Sequence, residues 1–84
     1  MMRAKMQVHG VREHKDAAGQ TIQEDLILYA VAKNGAYPSD GSDEDNSFAR
    51  WTPSAELKLS VENPALFGKI PFGARFYLDF TPAD

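Results

Sequence analysis

The chain has 84 residues, no cysteine, nine basic against twelve acidic residues, and a formal net charge of −3 with a pI near 5.2. That length is one domain, spanning 1–84, and it buries only roughly 60–65% of its unfolded surface. The missing cysteines exclude a disulfide staple and a thiolate metal site. The acidic balance argues against a general nucleic-acid binder, which gains most of its affinity by neutralising phosphates.

Arg3 to His14 opens the chain with Ala4, Met6 and Val8 on one phase and Lys5, Gln7 and His9 on the other. This period-two alternation is that of a strand with one buried face. Val11 falls out of phase after Gly10, which predicts a bulge or bend there. Lys15 to Gln20 reads as a turn with Gly19 in the left-handed position. No apolar run reaches the ~20 residues of a membrane helix. The basic Met1-Met2-Arg3-Ala4-Lys5 start leads into Gln7, His9 and Arg12 rather than a signal-peptide core.

A second strand is expected over Thr21 to Lys33. Leu26 to Ala32 runs without a polar residue, so both faces of this stretch are apolar. A strand of that kind is covered on both sides. Leu26, Leu28, Ala30 and Ala32 are assigned to the core. Ile27, Tyr29 and Val31 are assigned to the opposite wall of a barrel or to a partner chain.

Asn34 to Asn46 is dominated by Gly, Pro, Ser, Asn and Asp and reads as a long loop. Loops of that length are more often functional than incidental. Ser47 to Thr52 alternates and is expected to be a short strand, with Pro53 marking a bend. Leu57, Leu59 and Val61 form the apolar phase of the next strand. Phe76, Leu78 and Phe80 form that of the last one, and Leu57, Leu59, Phe76, Leu78 and Phe80 are expected to fill the core. Between them Asn63-Pro64-Ala65-Leu66-Phe67-Gly68 predicts one capped helical turn. Trp51-Thr52-Pro53 and Phe80-Thr81-Pro82 echo each other as extended, aromatic-anchored exits from the sheet.

Catalytic chemistry finds no foothold. No Gly-x-Ser-x-Gly elbow surrounds a serine, and no phosphate loop or dinucleotide fingerprint is present. Glu24 and Asp25 are adjacent on a strand and point to opposite faces. The cluster Asp40, Asp43, Glu44, Asp45 and Asn46 supplies oxygen ligands. An EF-hand needs Gly at its sixth position, however, and counting from Asp43 that position is Phe48. The preferred reading is an acidic loop, solvated or paired with basic residues of a neighbour. His9 and His14 lack a third ligand and are read as surface histidines. Arg50 beside Trp51 and Arg75 beside Phe76 and Tyr77 are the places where bases would stack; the favoured assignment is to packing and ion pairs. No enzyme activity, metal or cofactor is expected.

Three segments carry a family resemblance. They are Asp43-Glu-Asp-Asn-Ser-Phe-Ala-Arg-Trp-Thr-Pro-Ser-Ala-Glu-Leu, Asn63-Pro-Ala-Leu-Phe-Gly, and Gly73-x-x-Phe-Tyr-Leu-Asp-Phe-Thr-Pro-Ala. With the start Met2-Arg-Ala-Lys-Met and Val8, they resemble a set of small proteins of tailed bacteriophages and prophages. Members of that set are usually described as hypothetical or virion-structural. The resemblance covers most of the chain, is weakest over Asn34 to Ser42, and transfers no catalytic residue. It implies a phage context.

The resulting expectation is an all-β domain of about four to six mostly antiparallel strands, in a small barrel or sandwich, with a helical turn near Pro64 and a long loop at 34–46. The expected function is a structural virion component, a capsid decoration or cement protein stabilising the head shell. The alternative is a small intracellular phage binding protein, an OB-like nucleic-acid or host-factor binder. Partners are then the major capsid protein or another virion protein, with self-association or an assembly-bound state, and neither nucleic acid nor membrane. The protein would be made in the host cytoplasm and reside in the virion. Candidate partner contacts are Ile27, Tyr29, Val31, Tyr37, Asp43, Glu44, Asp45 and Trp51.

Overall fold

The computed structural model describes residues 2–84. Four antiparallel strands, β1 (Met2–Lys15), β2 (Thr21–Ala30), β3 (Glu56–Val61) and β4 (Arg75–Phe80), form one sheet in the order β3-β2-β1-β4. A single 3-10 turn, Pro64–Leu66, follows β3. Asn63 caps it by accepting the Ala65 N–H at 3.1 Å, and Pro64 takes its first turn. The chain is therefore all-β, and the sheet is open: β3 and β4 lie at opposite edges, with two strands between them.

The sheet is a single layer. The molecule measures 56 × 32 × 16 Å, with a radius of gyration of 15.6 Å. A compact chain of this length would have about 12 Å. Among the described residues no second sheet or long helix packs on it, so neither a sandwich nor a closed barrel forms. Alternation within each strand specifies two faces, but it does not specify what covers them.

β1 and β2 form a hairpin. Its turn is held by the Asp16 carboxylate, which accepts the N–H groups of Ala18 at 2.9 Å and Gln20 at 3.0 Å, with Gly19 left-handed at φ 82°. Val8 opposes Leu28 and Gly10 opposes Ile27, so His9 is the extra residue of the expected bulge. A Cβ on residue 10 would stand 2.7 Å from the Ile27 Cγ2, which is why a glycine occupies that position.

Register assigns the faces. Opposed residues share a face, so Ala4, Met6 and Val8 lie with Leu26, Leu28, Ala30, Leu57, Leu59, Phe76, Leu78 and Phe80. Ala4, Met6, Val8, Leu26 and Leu28 form the buried core. The segment 62–74 links β3 to β4 by crossing this apolar face. Gly68 donates its N–H to the Glu24 carboxylate at 3.2 Å, and Ile70 packs on the core. The Gly73 N–H reaches the Val8 carbonyl at 2.9 Å. The other, polar face carries Gln7, Arg12, Asp25, Ile27, Tyr29, Lys58 and Tyr77.

Two further expectations need correction. Strand β2 ends at Ala30 rather than Lys33, because a side chain of the long loop replaces the next rung of the ladder. Ser47 to Thr52 is not a strand. It is a run of turns, with Ala49 N–H bonded to the Asn46 carbonyl at 2.9 Å and Trp51 at φ 63°. Local alternation there has no neighbouring strand to pair with, so the backbone closes on itself instead.

Candidate functional site

Two features stand out, a loop clamped into the sheet and an apolar face left partly uncovered. The clamp follows from a length mismatch. β1 pairs with β4 through Met2–Gln7 but meets β2 only from Met6 onward. The β2-facing backbone groups of its first residues therefore need other partners. The loop supplies them. The Arg3 N–H donates to the Ser47 Oγ at 2.8 Å, and the Lys5 N–H donates to the Asn46 Oδ1 at 2.8 Å.

Asn46 is 0% exposed and is the centre of this arrangement. Its Nδ2 donates to the Val31 carbonyl at 2.7 Å and to the Asp43 Oδ2 at 3.0 Å. One amide thus stands in for a ladder rung between β1 and the end of β2. Asp43 in turn accepts the N–H groups of Lys33, Asp45 and Asn46 at 2.9 to 3.2 Å. Burial opposes the charged form of Asp43, but its hydrogen bonds from Asn46, Lys33 and Asp45 outweigh that and hold the carboxyl below its ordinary range. Among the described residues, no buried side-chain nitrogen or oxygen lacks a hydrogen bond.

The acidic loop spends its charge on its own chain. Asp45 pairs with the Lys5 Nζ at 3.3 Å and accepts the Tyr77 hydroxyl at 3.0 Å. Glu44 pairs with the Lys33 Nζ at 2.8 Å, which lowers its carboxyl from the usual range. Arg3 sits 4.3 Å above the Tyr77 ring and pairs with Asp79 at 2.7 Å. Trp51 closes the loop: its N–H donates to the Gly41 carbonyl at 2.7 Å, and Tyr37 meets it edge-on at 5.9 Å. Gly41 has φ 76°, and a Cβ there would lie 2.5 Å from the Trp51 ring, so this close approach requires glycine.

The eight candidate contacts thus do not form one surface. Tyr37 and Trp51 belong to the loop-closing cluster, Trp51 being the more exposed. Asp43 is 3% exposed and offers a partner almost nothing, because the backbone amides around it have already claimed its oxygens. Glu44 and Asp45 are ion-paired within the chain. Val31 is part of the clamp through both backbone groups. Ile27 and Tyr29 share the polar face, where Tyr29 is exposed and meets His9 edge-on at 5.1 Å.

The bulge at His9 also brings both histidines to this polar face. His14 Nε2 lies 2.6 Å from the Asp25 Oδ2. Hydrogen bonds from Gln23, His14 and Ser60, in that order of weight, lower the Asp25 carboxyl to about 2. A carboxylate depressed in the folded state contributes stability that is present above its ordinary value and lost as pH falls through the depressed one. Denaturant unfolding followed from about pH 5 to about pH 2 is expected to show a loss of stability below about pH 4. Asp25→Asn should be less stable at neutral pH and should lack that component of the acid loss.

The second feature is absent from the sequence-derived contacts. On the apolar face, Met2, Phe48, Leu59, Phe76 and Phe80 are between 36 and 49% exposed. The expectation placed Leu59, Phe76 and Phe80 in the core. The crossing segment packs on the end bearing Val8, Glu24 and Ile70, and Phe48 and Ala55 lie against the other end, so Ala4, Met6 and Leu28 are buried while the rim of the face stays half exposed. There Met2, Ala4, Phe48, Leu57, Leu78 and Phe80 line a hollow of about 200 Å³. The available signal was quantitative: four strands carry apolar residues on one face, and the short segment 62–74 is too small a lid.

No protein-family model matches the chain, and no curated protein or solved structure does.

Proposed function

We propose that this chain is a structural component of a tailed-bacteriophage particle, and within that class a capsid decoration protein. One observation carries the reading: a single-layer sheet whose apolar face is only partly covered. Domains bury such a face against a second layer, and this chain supplies only a partial one. A fold of this kind is completed by association, which is the job of a particle subunit. The resemblance of Asp43–Leu57, Asn63–Gly68 and Gly73–Ala83 to small phage proteins gives the association its context. The clamped loop adds rigidity, since Asn46 and Ser47 tie it to β1 and Asp43 ties it back onto Lys33.

Protein identification by mass spectrometry on purified, salt-washed virions tests this. The chain is expected in the particles at a stoichiometry comparable to a shell protein. Its absence from washed virions, with abundance in the infected-cell lysate, would overturn the proposal.

The electrostatics favour protein over nucleic acid as partner. Arg3, Lys5 and Lys33 are each engaged by a carboxylate of the same chain. Filter or anisotropy assays at physiological ionic strength are expected to show no salt-sensitive binding to single- or double-stranded DNA. Micromolar affinity falling steeply with added salt would instead favour the nucleic-acid binder.

A further inference from the structure

We infer that the open apolar face is closed by a second copy of this chain, packed face to face into an eight-stranded sandwich about a twofold axis. This rests on the reading that the chain works in an assembly, and it names the partner and the surface.

The area is appropriate. Met2, Phe48, Leu59, Phe76 and Phe80 are 42, 36, 42, 37 and 49% exposed. At roughly 200 Å² per side chain, those exposures leave on the order of 400 Å² of apolar surface. A standard interface buries about 800 Å² per partner, a little over half of it apolar. The patch alone therefore supplies most of the apolar area that one side of a stable dimer needs.

The charge distribution selects the partner. Glu56 is the one charged residue lining the hollow, and its register opposite Tyr29 assigns its side chain to the polar face. Complementary charge is what addresses a surface to an unlike protein; the carboxylates that register places on this face, Glu13 and Glu24, lie at the far end with the crossing segment, and several other charges are engaged within the chain. An uncharged patch matches another uncharged patch, and an identical copy provides one. The net charge of −3 does not oppose this contact, because the meeting surfaces do not carry it. Two sheets packed in this way stand about 10 Å apart with their strands within about 30° of each other. A twofold contact is also self-consistent, each copy presenting the same patch to the other. The crossing segment 62–74 occupies one end of the face and confines the overlap to the end bearing the hollow.

Sedimentation velocity over a dilution series tests the inference, on the wild type, Phe80→Asp, Phe48→Asp and Tyr29→Asp. Circular dichroism on each confirms that it folds. The wild type is expected to pass from dimer to monomer on dilution. Phe80→Asp and Phe48→Asp should weaken the dimer at least tenfold while retaining the strand spectrum. Tyr29→Asp, on the polar face, should dimerise as the wild type does. A wild type monomeric at all concentrations would overturn the second copy as partner. So would a dimer that Phe80→Asp and Phe48→Asp leave intact, or one that Tyr29→Asp weakens equally. A monomeric protein found in washed virions would leave the particle role standing and transfer the face to a shell protein; a dimer absent from virions would do the reverse.

Discussion

Asn46→Ala is expected to destabilise the protein by about 3 kcal/mol, because it strands two backbone groups that nothing else reaches. The Lys5 N–H and the Val31 carbonyl both end on the Asn46 amide, and Asn46 is fully buried. Leaving a buried polar group unsatisfied costs roughly 1–3 kcal/mol. Asp43 also loses a donor, and its burial then weighs more heavily against its charge. A domain of this size holds only roughly 4–13 kcal/mol in total. The loss corresponds to a fall of roughly 12–24 °C in Tm, read by thermal melts followed in the far ultraviolet. Asn46→Asp keeps the shape but removes the donor and sets a second carboxylate against Asp43. It should be at least as damaging at neutral pH. A loss below about 1 kcal/mol for Asn46→Ala would mean that the loop does not complete the β1–β2 ladder.

Leu28→Glu should unfold the isolated chain, and Tyr29→Glu should leave it folded. Leu28 is one of five buried apolar core residues among those described, between Val8 on one side and Leu57 on the other. An unpaired carboxylate there costs several kcal/mol, comparable to the whole stability. Tyr29 is one residue away but on the polar face, exposed and near His9. A charge at that position is hydrated, and surface changes usually fall within about 0.5 kcal/mol. Denaturant titrations of both variants read the difference directly. Equal unfolding by the two would mean that the sheet is covered on both sides, contrary to the single layer described above.

The strands and their faces were legible because alternation is a local signal. Met6 and Val8, Leu26 and Leu28, Leu57 and Phe76 fall on one face as their spacing predicts. The bulge announced itself as a slip of phase after Gly10, and the turn at Pro64 through Asn63 and Pro64. What covers the faces was not legible, because coverage depends on where the segment 62–74 crosses and how much it spans. Phe76 and Phe80 therefore passed as core residues when they are half open. The loop misled in a related way. Asp43, Glu44 and Asp45 read as solvated or as contacts to a neighbour, yet their partners Lys5, Lys33 and Tyr77 lie in the same chain, at least ten residues away. Asn46 offered only a hint, standing three residues after Asp43 in a spacing that favours side-chain to backbone turns. Its role as a ladder rung depends on β1 being longer than its pairing with β2, and no local pattern encodes that mismatch.

On the reading proposed above, one face of this single-layer sheet is partly open in the monomer and closed by association. Methyl NMR with a soluble paramagnetic agent addresses it most directly, comparing Met2 and Leu59 with Met6 and Leu28 across a dilution series. Met6 and Leu28 should be protected throughout. Met2 and Leu59 should be strongly relaxed when the protein is dilute and become protected as its concentration rises. Protection of Met2 and Leu59 at every dilution would show that the chain covers this face by itself. Relaxation at every concentration would show that association, where it occurs, uses another surface.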